Sequence, residues 1–195
     1  MRSDRSGGTH GDFAFPRSYE IQERYELPGS GESGIPTFYI PAPKSRIEHD
    51  GVWVAVRASN GQEWTGVFAY GYGEPPGISR IMSSPDPESF IVISKGAAYL
   101  VGADSPNRWE QLPVFPVTDV IASEKHKILV FADFSKLVAY GRSGLRWKTS
   151  LLCSDSLNIV SVDSDSIRGT GYDPGSDTGT VNFVVDLNTG ADRLV

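Results

Sequence analysis

One cysteine, three histidines and two methionines are all that 195 residues offer to thiol and soft-metal chemistry. Cys153 alone cannot form an internal disulfide, and a thiolate zinc site needs several cysteines that are not there. No run of Lys and Arg breaks the formal net charge of −6. A nucleic-acid partner is not expected, because such binders carry a basic patch, and an acidic surface is repelled by anionic membranes for the same reason. No apolar run approaches the ~18 residues of a membrane span. Residues 1–12 hold no apolar core of a secretory signal, so a cytoplasmic location is expected. Helical periodicity with caps is missing throughout.

What is present is glycine and proline, 21 and 13 residues, with 11% aromatics. This is the composition of an all-β chain with many turns and enough apolar surface for a core. Residues 1–12 read as a disordered tail, too polar to offset ordering entropy. Residues 13–50 read as an extended arm on the core, punctuated by Pro28-Gly29-Ser30-Gly31, with one short strand near residues 37–40. Residues 51–195 read as a single all-β repeat domain. Val52-Trp53-Val54-Ala55-Val56 is a strand, Asn60-Gly61 a hairpin turn, and residues 64–70 the returning strand.

Two later stretches echo each other. Phe90-Ile91-Val92-Ile93, Tyr99-Leu100-Val101 and Arg108-Trp109 return as Ile128-Leu129-Val130-Phe131, Leu137-Val138-Ala139 and Arg146-Trp147, 38 positions on (128 − 90). A fixed period near 40 marks stacked four-stranded sheets. The continuous apolar runs suit strands covered on both faces, as in propeller blades. About three and a half such units fit, so the expected architecture is antiparallel four-stranded blade-like repeats in an open or partial propeller, or a curved β-sandwich. Trp109 and Trp147 are expected to occupy one position in successive units, packed between sheets. A free sheet edge would favour a homodimer by strand addition.

Three further segments carry a resemblance. Ser83-Ser84-Pro85-Asp86, followed by Phe90-Ile91-Val92-Ile93, resembles the inter-strand turn of propeller blades. Val185-Asp186-Leu187-Asn188-Thr189-Gly190 resembles the Asp-x-x-Thr-Gly turn of quinoprotein-type repeats, and Ala139-Tyr140, Gly144 and Trp147 are similar to a shortened version. The chain is also similar, over roughly residues 50–195, to a group of uncharacterised bacterial all-β proteins with propeller-blade-like (quinoprotein/WD40-like) repeats. The basis is Phe131-Ala132-Asp133-Phe134, Val138-Ala139-Tyr140-Gly141, Gly144-Leu145-Arg146-Trp147 and Ile167-Arg168-Gly169-Thr170-Gly171-Tyr172-Asp173-Pro174. The resemblance implies a blade fold and no activity or cofactor.

Candidate chemistry is sparse. Asp155, Asp163, Asp165, Asp173 and Asp177 form an acidic series; Asp173 and Asp177 are the best pair for Ca²⁺, but their spacing matches no EF-hand loop. Aspartates at turns usually bond their own backbone. No Gly-x-Ser-x-Gly elbow accompanies His10, His49 or His126, although a Ser-His-Asp arrangement is recognised by geometry and not by order. Gly169-Thr170-Gly171 opens no helix and reads as a bulge or a close backbone approach. Trp53, Trp64, Tyr70 and Tyr72, with the Pro75-Pro76 loop, are the candidates for a ligand surface. The expected function is a non-catalytic module binding another protein or a ligand, an immunity-type inhibitor being one form of it. The alternative is a carboxylate-based or metal-assisted hydrolase using Asp155, Asp163 and Asp173. No cofactor is expected beyond the Ca²⁺ candidate.

Overall fold

The computed structural model describes residues 10–25, 34–43, 49–71 and 77–195, and among them every regular element is a strand. The tail before residue 10, the Pro28–Gly31 turn, Tyr72 and the Pro75-Pro76 loop lie outside the described residues. Among these residues seventeen strands make four sheets. The second sheet runs β6 (Arg80–Ser83), β7 (Ser89–Ser94), β8 (Ala97–Gly102), β9 (Ser105–Gln111), and β1 (His10–Asp12) lies parallel along the free side of β6. The third is β10 (Asp119–Ser123), β11 (Ile128–Ala132), β12 (Leu137–Gly141) and β13 (Gly144–Lys148). The fourth is β14 (Asp155–Val162), β15 (Ser166–Tyr172), β16 (Thr180–Asp186) and β17 (Asp192–Leu194). Each of these four-strand units is an antiparallel meander, so the blade-like repeats expected from sequence are present.

The first sheet is built differently. The hairpin β4 (Gly51–Arg57) and β5 (Glu63–Ala69) lies at its centre, flanked by β2 (Glu20–Arg24) and β3 (Thr37–Ile40) in the order β2-β4-β5-β3. β3 pairs parallel with β5. The stretch expected as an arm with one short strand therefore supplies both outer strands of a blade. It is also pinned to the second sheet. The Phe15 N–H donates to Ser83 Oγ at 2.8 Å, the Ser18 N–H to the Pro87 carbonyl at 2.9 Å, and the Tyr19 hydroxyl to the Ser89 carbonyl at 2.9 Å.

The sheets stack in chain order through three cores. Val54, Val56, Trp64 and Phe68 of the first sheet meet Phe90, Val92, Tyr99 and Val101 of the second. Ile91 and Ile93 on the other side of the second sheet meet Leu129, Phe131, Val138 and Tyr140 of the third. Ile128, Val130, Ala139 and Trp147 meet Ile167, Phe183 and Val185 of the fourth. This explains the unbroken apolar runs of β7 and β11: both faces are covered, and every residue of each is buried. Each buried Phe, Ile or Val contributes about 1.5–3 kcal/mol. Among the described residues no core joins the fourth sheet back to the first, so the stack is open. The end strands show it: in β15, Ile167, Gly169 and Gly171 are buried while Arg168 and Tyr172 are exposed.

The stacking also refines the repeat. β8–β9 and β12–β13 turn through two residues each, with Gly102 opposite Ser105 and Gly141 opposite Gly144. These turns are 39 residues apart (141 − 102). At that spacing Phe90 and Val92 correspond to Leu129 and Phe131, and both pairs face the preceding sheet. The sequence echo at 38 instead matches Phe90 with Ile128, which faces the following sheet. A slip of one residue exchanges the faces of a strand, so Trp109 and Trp147 are not equivalent. Trp109 is half-buried against the first core, and Trp147 is buried in the third.

Candidate functional site

The tryptophan that matches Trp147 in role is Trp64. Its indole N–H donates to the carbonyl of Ala103, the first residue after β8, at 2.9 Å. The Trp147 indole N–H donates to the carbonyl of Leu187, the first residue after β16, at 3.0 Å. Each clamps its sheet to the last turn of the next one. Gly190 completes the second clamp: at φ +72° it passes so close to Trp147 that a Cβ would fall 2.6 Å from the ring. Asp186 Oδ1 holds that turn, accepting the N–H groups of Asn188 and Thr189 and the Thr189 hydroxyl. The Asp-x-x-Thr-Gly segment is thus a packing device.

Asp155, Asp163 and Asp173 of the acidic series are held in the same way. Asp163 Oδ1 accepts the N–H groups of Asp165 and Ser166, and its Oδ2 accepts the Ser166 hydroxyl. These donors, the Asp165 N–H above all, hold the Asp163 carboxyl below the usual carboxylate range. Asp155 accepts the Ser156 N–H at 2.6 Å, and Asp173 the Gly175 N–H at 2.9 Å. Asp133 caps its turn through Ser135 and Lys136. Among the described residues no three His, Cys, Asp or Glu side chains converge as metal ligands. Gly169 and Gly171 mark close approaches: a Cβ would meet the Phe183 ring at 2.2 Å and Cys153 Sγ at 2.3 Å. Cys153 is buried under β15, and burial pushes its thiol up.

A Ser-His-Asp cluster does form, joining His126 and Asp165 to Ser123, a residue that spacing alone did not single out. Ser123 Oγ lies 3.0 Å from His126 Nδ1, and His126 Nε2 lies 3.4 Å from Asp165 Oδ1. Asp165 is exposed and already ion-paired to Lys125 and hydrogen-bonded by the Ser164 hydroxyl. Its carboxyl is held low by Lys125 first and Ser164 second. The cluster ties the β10–β11 turn to the β14–β15 turn. It lacks the hydrogen bond that would orient a catalytic imidazole.

The four residues expected to form a ligand surface are separated. Trp53 is half-buried and pairs with Val67, which turns it to the outer face of the first sheet; Trp64 turns to the opposite face and is 3% exposed. Tyr70 sits past the end of β5 with the Lys95 ammonium 3.8 Å over its ring. Tyr72 lies outside the described residues.

A mainly apolar hollow lies elsewhere among the described residues, where turns of the second and third sheets meet. It has a volume of about 300 Å³. One wall is Ala14, Phe15 and Pro16 with Pro85 and Pro87 of the β6–β7 turn; the other is Glu124 and Lys127 of the β10–β11 turn and Arg142 of the β12–β13 turn. The first wall is rigid, with three proline rings and a strap pinned by the Phe15 and Ser18 bonds described above. No local signal announces it, because its parts come from separate stretches between residues 14 and 142. Two broader hollows are strongly charged. One, of about 390 Å³, includes Glu20, Arg24, Arg57 and Glu63; the other, of about 410 Å³, includes Asp163, Arg168, Asp186 and Arg193.

No protein-family model matches the chain, and no curated protein matches it. Among solved structures it is similar to the N-terminal domain of Nup159, at 10% identity and a TM-score of 0.42, over 97% of this chain and 53% of that one. It is also similar to a chain in the S. cerevisiae complex of Dbp5 with Nup159, Gle1, IP6 and ADP, at 8% identity and a TM-score of 0.29, over 96% and 70%. The chain thus spans about half the length of the Nup159 structure. Likenesses this remote have no bearing on activity.

Proposed function

We propose that this chain is a non-catalytic module that binds another protein through the turn face shared by its second and third sheets. The observation that carries this reading is the preformed hollow between the pinned 14–16 strap and the turns of the third sheet. Asp155, Asp163 and Asp173, which would have served a hydrolase, each accept a backbone N–H of their own turn. Rigid sheets presenting turns on one side make a surface whose contacts are set by loop residues and not by the scaffold. An immunity-type inhibitor is one form such a module takes, and a cytoplasmic setting without a resident cofactor is part of the same reading.

The test is affinity capture from native lysate at 50 mM and 500 mM salt, with mass spectrometry of what is retained. One protein held stoichiometrically at both salts supports the module. Retention of no protein, together with hydrolysis of generic ester, phosphoester or peptide substrates that is lost in Asp163→Ala or His126→Ala, would replace it with an enzyme.

A further inference from the structure

The chemistry of the hollow narrows what it takes. Pro16, Pro85 and Pro87 have no N–H to donate, so this wall cannot pair with a partner's main chain as a sheet edge would. It offers flat apolar surface instead. A volume of about 300 Å³ suits one large aromatic side chain and the start of its neighbour, not an extended strand. The charges on the opposite wall are Glu124, Lys127 and Arg142, two cations to one carboxylate in a chain whose net charge is −6. Arg142 is 72% exposed, and its contact with Asp86 is 3.9 Å, the outer limit of an ion pair. Asp86 is meanwhile engaged by the Ser89 hydroxyl at 2.8 Å. That contact takes only the Arg142 Nε, so the two terminal nitrogens of the guanidinium remain at the open rim for a two-pronged bond with an incoming carboxylate.

We infer that this hollow receives an aromatic side chain of the partner protein, flanked in the partner's sequence by an acidic residue that pairs with Arg142 and Lys127. The inference rests on the module reading above and adds the chemistry of its partner. The ring stacks on the prolines and is desolvated there, while the carboxylate stays at the wet rim. Rim pairing of this kind acts on specificity and salt dependence more than on total affinity.

The experiment is a titration of the full ¹⁵N-labelled chain with acetyl-Gly-Asp-Trp-Glu-Gly-amide, followed by amide shifts, with acetyl-Gly-Lys-Trp-Lys-Gly-amide as the charge-reversed probe. The expected result is saturable shifts confined to Ala14, Phe15, Glu124, Lys127, Arg142 and their neighbours. Binding of the acidic peptide should be at least tenfold tighter than that of the lysine peptide. Arg142→Glu, alone and with Lys127→Glu, should weaken the acidic peptide at least tenfold while the remaining spectrum stays unchanged. Absence of groove shifts at millimolar peptide, equal binding of the two peptides, or undiminished binding by the Arg142→Glu variant would each overturn the inference. Indole-3-acetate saturating the groove as tightly as the peptide would overturn it too, because the site would then be built for a small acid. The two readings fail separately. A lysate partner retained equally by the parent and by the double variant sinks the acidic-flanked ring and leaves the module; absence of any partner sinks the module.

Discussion

Truncating Trp147 tests the stacking and the register of the repeat together. The ring is 8% exposed, lies in the third core, donates its N–H to Leu187 and rests on Gly190. Trp147→Ala removes the ring from a packed site, which costs about 3–5 kcal/mol. Part of that is the Leu187 carbonyl left without its donor, about 1–3 kcal/mol on its own. For a chain of this length about 4 kcal/mol corresponds to a fall in Tm of roughly 8–16 °C. Urea denaturation followed by far-UV circular dichroism reads the change directly. Trp64→Ala should cost about the same, since it breaks the equivalent clamp onto Ala103. Trp109→Ala should cost roughly half as much or less, because that ring is half-buried at the margin of the first core. Equal losses for Trp109→Ala and Trp147→Ala would refute the 39-residue correspondence and restore the one at 38. A Trp147→Ala protein as stable as the parent would refute the clamp altogether.

Gly190→Ala should destabilise by about 1–3 kcal/mol, from a left-handed backbone and a collision with Trp147; Gly61→Ala, equally left-handed at φ +82° but with nothing within 4 Å, should cost clearly less in the same urea titration. Asp163 and Asp186 have depressed carboxyl pKa values in the folded protein. Their contribution is complete above the unfolded carboxylate pKa near ~4 and is lost as pH falls through the lower folded values. Asp163→Asn and Asp186→Asn should therefore lower stability at pH 7 and narrow their difference from the parent at pH 3; a gap that widens with acid would contradict the turn assignment. Cys153 should react with a disulfide reagent at least 100-fold more slowly in the native chain than in urea, as expected of a buried thiol with a raised pKa. Millimolar CaCl2 should leave Tm unchanged; a rise abolished by Asp173→Ala with Asp177→Ala would instead establish a calcium site there.

What could be read in advance was whatever local pattern controls. β7, β8, β11 and β12 were legible because burial on both faces leaves unbroken apolar runs, and the β4–β5 hairpin because Asn60-Gly61 dictates its turn. The first sheet was not. β2 and β3 follow each other in sequence yet take opposite edges, pairing with β4 and β5, and Glu-Ile-Gln-Glu-Arg in β2 has a polar outer row that looks like loop. The two tryptophans misled for a related reason. An echo of Arg-Trp at 38 is good evidence for a repeat near that length and carries no information on which face each ring occupies. Asp163, Asp173 and Asp186 hold their own turns, as Asp followed by Ser, Thr or Gly within three positions commonly does. The hollow between the strap and the third sheet could not be seen at all, since no local signal brings Pro16 beside Arg142.

Four sheets in an open row have three joints, and the two end sheets are each held by one. Such a molecule behaves mechanically like a short stack of plates and not like a closed ring, in which every blade has two neighbours and none can leave first. Amide exchange should grade along the row, slowest in β7, β8, β11 and β12, faster in the sheets at either end. The two tryptophan clamps sit at the first and third joints, where an end plate would otherwise peel. Among the described residues the middle joint has no such indole clamp and is held by its apolar core, with two sheets on either side.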